Sequence, residues 1–373
     1  MTRYKWLFRT MDKLPLAKAC ALAVLKMAFF ARFGPKLMLE NLAISRVRKS
    51  APEVLGAFPV GPRVAVIVAF PRLGPLPSVR RVLARLQYLG FETLLVVNDS
   101  PFVEEWVKEL EGSADCTVVR SNAGRDFGAY KFAITELERR GVLSRLEKLL
   151  VLNDSIYFPP GSMPVLDSLA HMDATWGGIS ANLVEQTHVQ SFAYMFGPEV
   201  VSSPAFARYW DEYQLTNRRR RLIHGGELAL SRVLLAEFGG FSTILNSDEI
   251  SHLINERPNV QRDEFEGIRK VVSMRRGESA YPGPLSDEMS LRALADHHSV
   301  IHYLGTYLTR EWGFPLKLEL SKSGIASPDS MCDALMAQGC GLEELAQLKS
   351  VLESVALGRQ TRLRRLWIQL GLL

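Results

Sequence analysis

Nowhere in the 373 residues does an apolar run reach the roughly 20 residues needed to span a bilayer. The nearest approach, residues 14–33, is interrupted by Lys18, Lys26 and Arg32, which also removes the unbroken apolar region of a cleavable signal peptide. Cysteine is scarce: Cys20, Cys116, Cys332 and Cys340 form no CxxC pair and no zinc spacing, so a reducing, cytosolic compartment is the simplest account. No low-complexity segment occurs, and no GxGxxG lies between Phe70 and Val79, which argues against a Rossmann-type oxidoreductase. Neither sign of charge dominates, with 45 Lys and Arg against 40 Asp and Glu, a net +5. A basic stripe interleaved with aromatics is missing as well, so no nucleic-acid partner is expected, and the modest positive balance suits anionic ligands or an anionic surface.

What the chain does have is one phrase said nearly twice: Leu94-Leu-Val-Val-Asn-Asp-Ser100 and Leu149-Leu-Val-Leu-Asn-Asp-Ser155. Each is an apolar run of the kind buried on both faces in a parallel sheet, stopped at Asn-Asp-Ser. Ligands of open α/β sheets lie beyond the carboxyl ends of the strands, so both polar tips should face one crevice. Around them alternate a strand at 63–70, helical periodicity at Val79, Val82, Leu83, Leu86 and Leu89, a helix near 103–111, a strand at 116–120 and a helix to about Arg140. This β-α-β-α-β-α-β order predicts an α/β fold with a Rossmann-type, mostly parallel sheet flanked by helices. Further strands are expected near 176–179, 191–196 and 241–245, and helices near 203–214 and 226–238. Residues 1–60 read as a helical N-terminal extension, 61–320 as the main domain, with 250–285 irregular, and 321–373 as a helical C-terminal region.

The chemistry-bearing residues cluster in that frame. In Asn122-Ala-Gly-Arg-Asp-Phe-Gly128, Gly124 and Gly128 free the backbone at a helix start, where N–H groups can face a phosphate, and Arg125 can fork onto phosphate oxygens. Asp126 either accepts from a sugar hydroxyl or caps the helix. Asn153-Asp154-Ser155 suits Mg²⁺ or Mn²⁺, or else is an Asx turn that ends the strand. Glu227 follows Gly225-Gly226 at a helix start, where a carboxylate can act as general base or can simply favour the helix dipole. His298 and His302 stand at i, i+4. Arg218-Arg-Arg-Arg221 is either a solvated face or a contact for a diphosphate-linked lipid. His188-Val-Gln-Ser191 belongs to the acceptor side of the crevice, whereas Trp176 and Trp210 read as core. Basic, apolar elements at 14–33 and 359–373 either lie in a membrane interface or pack on the domain.

The segments GRDFGAYK, LLVLNDSIYFP, HVQSFAYMF, GGELALSRVLLAEFGGF, IHYLGTYL and WGFPLKLEL together resemble the rhamnan synthesis protein F family and, in their order, the GT-A nucleotide-sugar glycosyltransferases. The likeness covers roughly 60–320 and implies a GT-A-like fold. It implies Asp99 near the nucleotide base or ribose, Asn122, Gly124, Arg125 and Asp126 on the donor with Asn153, and Asp154 on metal and diphosphate. It further implies Glu227 as base and His302 as a late metal ligand, while the reading of the residues themselves puts His188, Gln190, Arg218 and Arg219 on the acceptor. One departure stands out: a DxD motif has two acids and Asn-Asp-Ser has one. The implied activity is an inverting glycosyltransferase that moves a sugar, L-rhamnose from dTDP-rhamnose, onto a bacterial surface polysaccharide or its lipid-linked precursor. The expected place is the inner face of the cytoplasmic membrane, as a peripheral, cytoplasmic protein. The rival is a non-catalytic nucleotide-sugar or glycan-binding subunit of an assembly complex.

Overall fold

The computed structural model describes residues 51–71, 77–182, 187–245, 304–323 and 326–357. The elements run β1 (Glu53–Gly56), β2 (Arg63–Ala69), α1 (Pro77–Tyr88), β3 (Glu92–Asn98), α2 (Val103–Glu109), β4 (Cys116–Arg120), α3 (Arg125–Arg139), β5 (Lys148–Asn153), β6 (Ile156–Tyr157), α4 (Met163–His171), β7 (Trp176–Asn182), β8 (His188–Val189) and β9 (Ala193–Phe196). Then follow α5 (Pro198–Val201), α6 (Pro204–Glu212), α7 (Arg219–Leu222), a π-helical turn (Ile223–Glu227), α8 (Leu228–Phe238) and β10 (Ser242–Leu245). Beyond the undescribed stretch come α9 (Gly305–Trp312), β11 (Leu316–Lys317), α10 (Glu319–Ser323), α11 (Pro328–Ala337) and α12 (Leu342–Leu357).

The main sheet has the order β1-β4-β3-β2-β5-β9-β7-β10, with β8 paired to β7. Strands β4, β3, β2 and β5 are mutually parallel, β9 is antiparallel to both its neighbours, and β1 lies antiparallel on β4 at one edge. The expected α/β class and mostly parallel sheet are therefore present. Strand order reverses at β2, with β3 and β4 added on one side and β5 on the other. Such a reversal opens a crevice at the carboxyl ends of the strands.

Period-2 alternation divides the core in two. Ala65, Ile67 and Ala69 join Val79 and Leu83 of α1, Trp106 of α2, Leu166 of α4, and Leu308, Met331, Leu335, Leu348 and Leu352 of the C-terminal helices. Val64, Val66 and Val68 face the other way, onto Tyr130 and Ala133 of α3, Phe206 and Trp210 of α6, and Leu230 and Leu234 of α8. Each fully buried aliphatic or aromatic side chain is worth roughly 1.5–3 kcal/mol relative to an exposed one. The C-terminal helices thus share one core with the sheet, and the expected boundary at 320 falls inside α10. Trp176 and Trp210 are core, as the sequence suggests.

One expectation fails. Residues 53–56 form an edge strand, not part of a helical extension, because Glu53–Gly56 finds an unpaired ladder on β4. The described part of the C-terminal region is helical, with a break between α11 and α12 where Gly339 takes φ +85°, a conformation L side chains avoid. The basic segments 14–33 and 359–373 and the stretch 250–285, together with His298 and His302, lie outside the described residues.

Candidate active site

Both Asn-Asp-Ser tips reach the same edge of the sheet, on either side of β2, but they are not equivalent. On β3, Asn98 is fully buried and its Oδ1 accepts from Arg120 Nη1 at 2.6 Å. Asp99 is exposed, and its N–H donates to the Arg120 carbonyl. Ser100 precedes α2, its Oγ accepting from Phe102 N–H at 3.2 Å. On β5 the same three residues turn inward. Asp154 is 8% exposed; its N–H donates to the Val68 carbonyl at 3.0 Å, and its Oδ2 accepts from Phe70 N–H at 2.8 Å. Asp154 therefore ties the tips of β2 and β5 together where strand order reverses.

Asn153 forms the Asx turn that the sequence allows as one option. Its Oδ1 accepts from Ser155 N–H at 3.0 Å and from the Ser155 hydroxyl. With Oδ1 fixed as acceptor, Nδ2 donates to Tyr130 Oη at 2.8 Å, with Asp126 Oδ2 at 3.5 Å. Tyr130, buried completely, donates in turn to the Ser191 carbonyl at 2.9 Å. Burial pushes its phenol well above the usual value, as does the neighbouring Asp126, so it stays a neutral hydroxyl.

The loop before α3 explains both its glycines. Gly124 takes φ +77°, and a Cβ on Gly128 would sit 2.0 Å from the Ala123 carbonyl oxygen. Arg125 is the one non-glycine with positive φ among the described residues, at 51°, and its side chain is exposed. A strained backbone that displays a cation to solvent is the kind of outlier found at binding sites. The expectation that this turn offers free N–H groups is corrected in part. Gly124 N–H is already taken by Asn217 Oδ1 at 2.8 Å, and Arg125 N–H approaches the Asn122 carbonyl at 3.4 Å.

Glu227 stands elsewhere than expected. It closes a π-helical turn that continues α7 into α8, so no open helix N-terminus lies beneath it and the dipole explanation falls away. Its Oε1 accepts from Ser191 N–H at 2.8 Å, and its Oε2 lies 4.0 Å from His188 Nε2. The turn's widened backbone is held by the Tyr209 hydroxyl, which donates to the Gly225 and Gly226 carbonyls at 3.1 and 3.0 Å. Gly226 faces Phe127, where a Cβ would lie 2.9 Å from the ring. Single π turns of this kind favour functional sites.

Residues 190–192, between β8 and β9, join these parts. Gln190 is buried and its Oε1 accepts from Lys317 Nζ at 3.2 Å; Ser191 holds Glu227 and Tyr130; the Phe192 carbonyl accepts from Asn153 N–H at 3.1 Å. The structure thus gathers Asp126, Asn153, Asp154, His188, Gln190 and Glu227 around one loop. It leaves Asp99 exposed beyond β2. Arg219 of α7 pairs with Glu319 of α10 at 3.1 Å. Arg218 N–H donates to Thr216 Oγ1, and α7, which carries the other three arginines, buries no residue.

Three residues escape the sequence reading. Tyr130 and Lys317 are visible only as letters inside GRDFGAYK and WGFPLKLEL, with no spacing to mark them. Arg120 is largely buried beside Asn98 and Ala123, and desolvation pulls its guanidinium down to about 10, still charged at neutral pH.

A divalent cation finds few donors here. Both lone pairs of Asn153 Oδ1 are used by Ser155, one oxygen of Asp154 serves Phe70, and no three His, Cys, Asp or Glu stand close enough to hold a metal ion by themselves among the described residues. His302 lies outside them.

Residues 94–263 match the family model described as rhamnan synthesis protein F. The uncharacterized protein y4gN of Sinorhizobium fredii is 27% identical over 200 residues, which cover 52% of this chain and 51% of that protein. The chain thus spans about half the length of the curated relative it matches. Among solved structures, the crystal structure of the glycosyltransferase GlyE in Streptococcus pneumoniae TIGR4 aligns at 12% identity over 52% of this chain and 50% of that one, with a TM-score of 0.27. That alignment is too loose to support an argument. The stretch from β3 past β10, which builds the crevice and carries Asn153, Asp154, His188 and Glu227, is the stretch that matches the rhamnan synthesis protein F family.

Proposed function

We propose that this chain is an inverting, nucleotide-sugar-dependent glycosyltransferase of GT-A type. What carries the reading is the convergence of Glu227, Asn153-Asp154 and Asp126 on residues 190–192, beside the point where strand order reverses. The donor lies along the carboxyl ends of β2, β3 and β5, with Asp99 toward the nucleoside, Arg125 and the Asn122–Gly124 turn toward the diphosphate, and Asp126 and Asp154 accepting from sugar hydroxyls. The acceptor enters from the side of His188, Arg218 and Arg219. Its hydroxyl oxygen attacks the anomeric carbon from the face opposite the diphosphate. The carbon–oxygen bond to phosphate breaks, its electron pair leaves on the diphosphate, and the hydroxyl proton passes to Glu227. Ser191 N–H fixes Oε1, so the base is aimed before substrate arrives, which is the preorganisation such catalysis needs.

L-Rhamnose from dTDP-rhamnose, and a surface polysaccharide or its lipid-linked precursor as acceptor, rest on the family match alone. Attachment to an anionic membrane surface rests on the basic, apolar segments 14–33 and 359–373. No described helix is long and apolar enough to cross a membrane. The deciding experiment incubates the protein with a panel of nucleoside-diphosphate sugars, dTDP-rhamnose included, and a rhamnan-type acceptor. Product is followed by mass spectrometry and the anomeric configuration by NMR. Transfer with inversion is expected. Tight donor binding without turnover of any sugar would instead make the chain a binding subunit of an assembly complex.

A further inference from the structure

The single acid at the tip of β5 leaves a question of charge that the C-terminal part of the chain answers. We infer that Lys317 receives the departing diphosphate, and that the transfer proceeds without a divalent cation. This rests on the glycosyltransferase reading above.

Lys317 reaches the crevice through a two-strand sheet. β11 pairs antiparallel with β6, Lys317 opposite Ile156, and Leu318 N–H donates to the Ser155 carbonyl at 3.0 Å. The lysine is therefore pinned to the residues that immediately follow Asp154. Its ammonium donates to Gln190 Oε1 at 3.2 Å and lies 5.6 Å from the centroid of the Phe192 ring. Both partners are neutral. Among the described residues no carboxylate comes within 4.0 Å of it, although its neighbour Glu319 is paired with Arg219. An ammonium has three protons to give. Here one goes to the amide oxygen of Gln190, which leaves N–H donors of a half-buried ammonium for an anion.

Placement gives that anion its identity. Gln190, which steers the ammonium, precedes Ser191, whose N–H holds the proposed base. One dipeptide thus sets both the group that takes the proton and the cation available to the electron pair leaving with the diphosphate. Of the other cations near the tips, Arg120 is bonded to Asn98 and Ala123, and Arg125 stands exposed at the start of α3, so Lys317 is the half-buried cation that complements it on the diphosphate. Asn153 Oδ1 is spent on Ser155, and Asp154 gives Oδ2 to Phe70 N–H, which leaves a single acid at this tip. A fixed lysine supplies positive charge where an enzyme with two acids would recruit a metal.

The test measures binding of dTDP, UDP, GDP and inorganic pyrophosphate to the full chain by calorimetry, in EDTA and again with Mn²⁺. Variants are Lys317→Gln, Lys317→Met and Lys317→Arg, each checked for an unchanged melting temperature. At least one nucleoside diphosphate should bind wild type with dissociation constants within two-fold in EDTA and Mn²⁺. Lys317→Gln and Lys317→Met should weaken it ten-fold or more, and Lys317→Arg should restore most of the loss. Binding that appears only with Mn²⁺, or equal binding in wild type and Lys317→Gln, overturns this inference and leaves the glycosyltransferase reading standing. No binding of any nucleoside diphosphate in either condition brings down both.

Discussion

At the scale of the residue, Glu227 and Asp154 do different work and fail differently. Glu227→Gln keeps an oxygen for Ser191 N–H and removes the base. Transfer should fall by about 10²–10⁴ in kcat, while donor affinity and melting temperature hold. Calorimetry alongside initial rates checks this, and an active Glu227→Gln enzyme would remove Glu227 from the chemistry. Asp154→Asn likewise keeps an acceptor for Phe70 N–H but loses the charge. A hydrogen bond to a charged group is worth roughly 1.5–3 kcal/mol, so donor affinity or transfer should drop about ten- to hundred-fold with the fold retained. Circular dichroism and rates on the same sample decide it. The doubled Asn-Asp-Ser phrase shows what three letters can and cannot say. The strands before them are alike, yet the first Asp is exposed and the second is buried, because the following Ser bonds forward toward a helix in one case and back to Asn in the other.

At the scale of the element, the sequence is a good guide wherever a period is clean. Residues 116–120 form a strand within the expected bounds, and the helices near 79–89, 103–111 and 125–140 appear within a few residues of where periodicity sets them. Three strands of two residues, β6, β8 and β11, carry no period at all, and two of them deliver His188 and Lys317. The π turn is equally hidden: Gly225-Gly226 reads as a helix start, but the Tyr209 hydroxyl ties off its carbonyls, a contact made across 16 and 17 residues. That turn is open to test by two variants. Tyr209→Phe removes the donor shared by two carbonyls, of which that of Gly226 is buried, and should cost about 1–3 kcal/mol of stability. Gly226→Ala pushes a methyl against the Phe127 ring and should displace Glu227, lowering kcat more than it raises KM for the donor. Chemical denaturation and steady-state kinetics separate the two effects. A Gly226→Ala enzyme with wild-type kcat would show that the close approach does not aim the carboxylate.

At the scale of the molecule, the fold class is legible because alternating strands and helices leave little choice of architecture, whereas the site is legible only in half. Its parts come from both ends of the described chain, and nothing local marks which distant lysine or tyrosine will arrive. Two predictions concern the whole protein. Burial pushes the Cys116 thiol up to about 11 and the Cys340 thiol to about 12, from an ordinary 9.0. Both groups are raised in the folded state, so their contribution to stability is complete below pH 9. It is lost as the pH climbs from 9 through 12, because the unfolded chain ionises first. Denaturation midpoints between pH 8 and 11 should fall, and Cys116→Ala should flatten part of the slope. The second prediction is that removing residues 1–33 and 359–373 releases the protein from anionic vesicles and spares donor binding. Each basic residue near such a surface contributes about 1 kcal/mol. Failure of the full chain to co-sediment at low salt would assign both segments to packing.

The pairing of β6 with β11 joins residues about 160 positions apart. During synthesis, the strands of the main sheet, the Asn153 turn and Glu227 all leave the ribosome well before Lys317 does. Closing so long a loop is slow relative to local folding, since its entropy must be spent before any contact returns it. The crevice is therefore finished late, after the sheet that supports it. A nascent chain lacks its cation until residue 317 has emerged, and on the lysine assignment it cannot engage a nucleotide sugar before then.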